Sequence, residues 1–141
     1  VMRQLLFVLT VASITPLFAE IQSKYYEEMQ RNAPEKLRIR VEKVDDEWCW
    51  FFCDKYQTRV SAIIMRVNKS AAGLQIGNRV YFEYDIFKPG RVWVGPRPMP
   101  ALKKGEEYDF FGSKTDVHKD KGIILLPEAR GYSFESLIGD L

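Results

Sequence analysis

Between residues 36 and 44 apolar and polar side chains alternate. Leu37, Ile39 and Val41 fall on one face and Arg38, Arg40 and Glu42 on the other. A period of two marks a half-buried β-strand. Residues 79–87 repeat the pattern, with Val80, Phe82, Tyr84 and Ile86 set against Tyr81, Glu83, Asp85 and Phe87. Residues 58–67 predict another long strand, with Ile63, Met65 and Val67 on one face. Shorter strands are expected over 92–94, 108–111 and 123–126. Turn signals punctuate them: Asp45-Asp46, Pro89-Gly90, Lys103-Lys104-Gly105-Glu106, and a loop over 68–78 with Gly73 and Gly77, in which Leu74 and Ile76 tuck inward. Ahead of the strands, Ile21, Tyr25 and Met29 recur every fourth residue within 20–32, one face of a short helix that Pro34 ends. After Pro127 the pattern becomes irregular, and a short C-terminal helix is expected over 134–138.

Short strands separated by loops, without strand–helix alternation, predict a mainly β chain: a small antiparallel barrel or sandwich with a short N-terminal helix. No internal repeat or low-complexity tract divides it.

The first nineteen residues read differently. Met2-Arg3-Gln4 carries one positive charge, an apolar run follows over 5–14, and Leu17-Phe18-Ala19 precedes the charged Glu20. That order is the pattern of a secretory signal, with cleavage expected between Ala19 and Glu20. The apolar run is too short for a membrane span, which takes about 20 residues. Residues 20–141 are then a single domain, periplasmic or secreted, with no transmembrane span after cleavage.

Composition sharpens this in two ways. The hydrophobic share is 46% and the aromatic share 13%, enough for a packed core and unlike a disordered segment. The formal net charge is +2, and removing Arg3 with the leader leaves +1. That balance makes no general electrostatic case for binding nucleic acid or an anionic membrane.

Two stretches, Val67-Asn68-Lys69 followed by Gly73-Leu74 and Ile76-Gly77-Asn78-Arg79-Val80, and Lys104-Gly105-Glu106-Glu107-Tyr108-Asp109-Phe110, resemble secreted OB-fold domains of the netrin-like type, which include the tissue inhibitors of metalloproteinases and bacterial relatives. The resemblance implies an OB-like barrel and an extracytoplasmic setting. Those inhibitors place a cysteine at the mature N-terminus to bind the protease metal. Glu20 stands there in this chain, so that activity does not carry over.

Cys49 and Cys53 are the only cysteines. In an exported protein a pair invites a disulfide. Four residues of flat strand span about 13 Å, beyond the reach of a bridge, so bonding requires Trp50-Phe51-Phe52 to turn tightly. The rival assignments are reduced thiols, or a redox or metal role in a C-x-x-x-C spacing. His118, the sole histidine, sits in a charged loop and reads as solvated; it cannot by itself complete a zinc site. The adjacent carboxylates Asp45-Asp46 and Glu106-Glu107 read as solvated turns. No cofactor is implied, and no catalytic constellation stands out, so a non-enzymatic domain is expected.

Two segments are candidates for binding. Trp48, Trp50, Phe51 and Phe52, with Tyr56, could form a stacking platform, with Arg38, Arg40, Arg59 and Arg66 lining it. The favoured placement is nonetheless the core plus one edge, because a small barrel needs the apolar area. Arg91, Trp93 and Arg97 sit in a stretch stiffened by Pro96, Pro98 and Pro100, expected to cross the barrel end. The function expected is an exported binding domain whose partner is a protein or a glycan. The alternatives are an exported OB-fold single-strand nucleic-acid binder, and a thiol-redox or metal protein using Cys49 and Cys53.

Overall fold

A computed structural model of the chain describes residues 24–88, 97–116 and 122–136. The expected leader with its Ala19–Glu20 junction, the 92–94 strand with Arg91 and Trp93, and His118 lie outside the described residues.

Six strands run in the order β1 (Glu35–Glu47), β2 (Lys55–Ser70), β3 (Arg79–Phe87), β4 (Glu107–Thr115), β5 (Ile123–Pro127) and β6 (Phe134–Ser136). A helix, α1, spans residues 24–32. Neighbours in the sheet follow β1-β2-β3-β5-β4, and β4 pairs back onto β1, so five strands close into a barrel. Most pairings are antiparallel, as expected. The exception is β3 with β5, which run parallel through Val80↔Ile123 and Tyr81↔Ile124. Closure between β3 and β5 is short, so among the described residues 82–87 of β3 are paired on the β2 side alone.

The alternation in β1 and β3 carries through. Leu37, Ile39 and Val41 point inward against Val80 and Phe82. In β2 the inward face is Thr58, Val60, Ala62 and Ile64; of the expected set Ile63, Met65 and Val67, Val67 packs against the core and the other two do not. The cause is local. Leu37 pairs with Val67, but Ile39 pairs with Ile64, so one extra residue is taken up on β2 between Arg66 and Ile64. That bulge, at Met65, reverses which residues face inward on either side of it. Similar shifts at Lys36/Leu37 and Val41/Lys43 bend the hairpin around the core.

Phe82, Phe110 and Phe134 meet in the barrel centre with ring centroids 4.9, 5.2 and 5.3 Å apart. Phe134 belongs to a strand, which corrects the helix expected over 134–138. The chain instead makes a 3-10 turn at Arg130–Ser133 and then pairs with β4 through Phe110↔Phe134. Residues 137 and 138 lie outside the described residues. Leu74 is buried as expected, whereas Ile76 is exposed, because Gly77 N–H donates to the Ile64 carbonyl and turns the chain outward at that point. Asp45-Asp46 lies within β1, not in a turn.

α1 packs through Tyr26, which stacks on Tyr132 at 4.6 Å; Tyr25, on the face expected to be buried, is exposed. Gln30 Nε2 donates to the Tyr132 carbonyl at 2.6 Å. Glu35, buried at the start of β1, accepts from the Ala72 amide at 2.8 Å and ties the 70–73 turn to the barrel.

Candidate functional site: a disulfide-closed aromatic hairpin tip

β1 and β2 run past the barrel body. β4 accompanies β1 only from Glu35 to Arg40, whereas β1 and β2 remain paired out to Glu47↔Gln57. β3 supports this projecting ribbon on the β2 side through Lys55↔Phe87, and the Lys88 amide donates to the Asp54 carbonyl at 2.8 Å. The far end of the ribbon is the segment from Trp48 to Asp54.

Cys49 and Cys53 are disulfide-bonded there, with Cα atoms 5.9 Å apart. The condition set by the spacing is met: residues 50–52 turn tightly, and Phe52 takes φ 52°. A left-handed backbone in a bulky residue costs roughly 1–2 kcal/mol, because Cβ crowds the following carbonyl.

The aromatic residues part company at this point. Trp48 packs on the ribbon, its ring 4.9 Å from that of Tyr56, with Lys88 Nζ 4.8 Å from its ring centroid. Lys88 Nζ also donates to the Cys49 carbonyl. Burial, reinforced by the nearby Asp46 carboxylate, raises the Tyr56 phenol above its usual pKa. Trp50, Phe51 and Phe52 stand in solvent at 80%, 79% and 108% of full exposure, with Trp50 meeting the half-exposed Trp48 edge-on at 6.1 Å. The favoured expectation for this cluster, core plus one edge, is thereby corrected. Among the described residues no layer opposes the closed loop, and the core is filled by Phe82, Phe110 and Phe134.

The tip is rimmed by both signs of charge: Asp46, Glu47 and Asp54 beside Lys55 and Lys88. Lys55 pairs with Asp85 at 3.4 Å. A shallow depression between Glu47, Trp48, Tyr56, Gln57 and Asp85 lies at the base.

The basic residues expected to line a platform are not gathered around it. Arg59 pairs with Glu83 at 3.1 Å and Arg38 with Asp109 at 3.5 Å. Arg79 pairs with Glu42 at 3.1 Å, so ion pairs cross the outer face of β1, β2 and β3. At the end of the ribbon away from the tip, Arg66 and Lys69 stand opposite Arg38 and Lys36, and Arg40 is exposed. Arg97 stands at the barrel's other functional candidate, the proline-rich stretch. Its guanidinium lies 4.3 Å from the Tyr132 ring centroid and pairs with Glu135 at 2.9 Å. The Arg97 and Pro98 carbonyls close over Gly131, and Tyr84 Oη donates to the Pro100 carbonyl at 2.7 Å. In its described part, that stretch straps the barrel end.

Among the described residues, no group of three or more His, Cys, Asp or Glu is placed to hold a metal ion. The class defined by fold and site is a closed five-stranded β-barrel that projects a disulfide-closed aromatic hairpin tip. Comparison with known proteins finds no matching family model, no matching curated protein and no matching solved structure.

Proposed function

We propose that this chain is an exported binding domain of OB-like type, acting by contact and not by catalysis, and that the aromatic tip is its contact element. The observation that carries this reading is the presentation of Trp50, Phe51 and Phe52, three successive aromatic side chains, to solvent. Contiguous exposed apolar surface of this kind marks interaction sites. The backbone adds a second reason: glycine would relieve the left-handed turn at position 52, yet a phenylalanine stands there. Strain kept at an exposed position, where it gives no packing in return, fits a role outside the fold.

The OB-like assignment is supported by the strand order β1-β2-β3-β5-β4 closing on β1. It is also supported by the position of the tip, which is the loop between the first two strands, one of the loops that OB folds use for ligands. Export is supported by the leader pattern and by a disulfide exposed at a loop end.

Of the partner classes expected, one with an apolar surface is favoured over a glycan: between Cys49 and Cys53 every side chain is aromatic, and the polar groups are confined to the rim. A partner offering an apolar surface fits.

The test replaces Phe52, in the full chain in its native host, with a photo-crosslinking amino acid, and does the same at Lys104 as a control. Lys104 is an exposed turn residue remote in sequence from the tip. Adducts to protein or to lipid from position 52, and none from position 104, are expected. Adducts of either kind from neither position, or equally from both, would remove the tip from the contact role.

A further inference from the structure

We propose that the tip docks on a phospholipid bilayer, with Trp50, Phe51 and Phe52 entering the interface between headgroups and acyl chains. This rests on the reading of the tip as the contact element and names its partner.

Four observations point to a lipid surface. First, the tip is a projection and not a hollow: all three side chains approach full exposure at the end of a ribbon that outruns the barrel. A bilayer receives such a projection without a matching pocket. Second, the contact is small. Three side chains fall well short of the roughly 800 Å² that each partner buries in a stable protein complex, so a second copy of this chain or a protein groove would need further surface. Insertion into lipid has no such minimum area, since each apolar group gains separately.

Third, the order of chemistry along the ribbon matches the order across an interface. Wholly apolar Phe51 and Phe52 stand outermost. Trp48 and Tyr56 are behind them with their polar tips, and Lys55 and Lys88 are at the rim. Tryptophan and tyrosine favour the headgroup level, and lysine side chains reach past apolar surface into water. Fourth, the rim holds Asp46, Glu47 and Asp54 as well as the two lysines. Lys55 is paired with Asp85, and Lys88 is held by the Cys49 carbonyl and the Trp48 ring, so the rim has no surplus of positive charge and matches the neutral headgroup layer of a zwitterionic bilayer. It gives no preference for an anionic surface. The disulfide keeps the loop in the inserted shape beforehand, which reduces the ordering cost of docking.

The experiment uses the full disulfide-bonded chain with phosphatidylcholine vesicles, some carrying brominated acyl chains. Flotation measures binding, and loss of tryptophan emission reports depth. The wild type is expected to float and to be quenched by the brominated lipid. Raising the salt about tenfold should leave binding intact, since little of it is electrostatic. The Trp50→Ser/Phe51→Ser/Phe52→Ser variant should bind at least about tenfold less, with the residual emission unquenched.

The proposal is overturned if the wild type stays with the unbound fraction, if the triple variant binds equally, or if binding appears only with phosphatidylglycerol and vanishes with salt. Discrete protein adducts from position 52 alongside absent flotation would retain the tip as a contact element while removing the lipid. Absence of both adducts and flotation would remove the two readings together.

Discussion

Two groups of three aromatic residues face opposite fates in this chain. Phe82, Phe110 and Phe134 come from three different strands and converge where the barrel closes. Trp50, Phe51 and Phe52 are consecutive and come from one turn, and they meet nothing on the described surface that would cover them. Residue type alone does not separate the groups. What separates them is where the backbone stands: inward positions of paired strands are enclosed on all sides, while among the described residues no second layer faces the end of the projecting hairpin. The first group should therefore dominate stability, and the second should be nearly silent in folding and decisive in contact.

The largest effect should come from truncating the enclosed group. Phe110→Ala is expected to cost about 3–5 kcal/mol, since it removes the transfer term and leaves a cavity. Urea unfolding followed by far-UV circular dichroism would measure it. A loss under about 1 kcal/mol would place that ring outside the core.

Next comes the strap that closes the barrel end. A Cβ at Gly131 would meet the Arg97 and Pro98 carbonyl oxygens at 2.3 Å each. Backbone cannot yield as a flexible side chain can, so Gly131→Ala should destabilise by about 1–3 kcal/mol in the same assay.

Alkaline titration probes the enclosed side from another direction. Burial raises the Tyr84 phenol well above its ordinary value of 10.0, and it raises Tyr108 in the same sense. Below pH 10 the folded and unfolded chains both hold the Tyr84 proton, and this group adds no pH dependence. Above pH 10 the unfolded chain releases the proton while the folded barrel keeps it, so stability falls as pH rises. The slope approaches about 1.4 kcal/mol per pH unit for each such tyrosine. Tyr84→Phe should flatten that decline, at a cost near neutral pH of about 1 kcal/mol for the lost bond to Pro100. Unfolding midpoints taken from neutral to strongly alkaline pH would show it.

Phe52→Gly sharpens the contrast from the tip. Glycine takes a left-handed backbone freely, so the substitution should stabilise the fold by about 1 kcal/mol while weakening contact. A gain in stability with loss of contact is the signature of a residue kept for function.

The same contrast explains which parts of the structure were legible in the sequence. β1 and β3 could be read residue by residue, because unbroken alternation encodes a face. The inward face of β2 could not. Ile63, Ile64, Met65 and Val67 are apolar on both faces, and only the pairing with β1 shows that a bulge at Met65 reverses the phase. Phe134–Ser136 reads as helix or strand when taken alone, and its pairing with β4 is non-local. Of the candidate site, the disulfide was expected from an exported cysteine pair, beside reduced thiols or a redox or metal role, and the spacing added that bonding demands a tight turn. The exposure of Trp50, Phe51 and Phe52 was not expected, because hydrophobicity states a preference for burial and says nothing of whether a partner layer exists. One local clue was present: the aromatics lie between two cysteines that can bond only if the residues between them leave strand geometry and turn.

The most direct test of this division is the unfolding free energy of the Trp50→Ser/Phe51→Ser/Phe52→Ser variant, measured by urea denaturation beside the wild type with the disulfide intact. Side chains this exposed, with only the Trp50–Trp48 edge contact to lose among the described ring pairs, should leave it within about 0.5–1 kcal/mol of the wild-type value. A loss of about 3 kcal/mol or more, the range for an enclosed phenylalanine, would show that these rings belong to the core and that the tip is not a surface held out for contact.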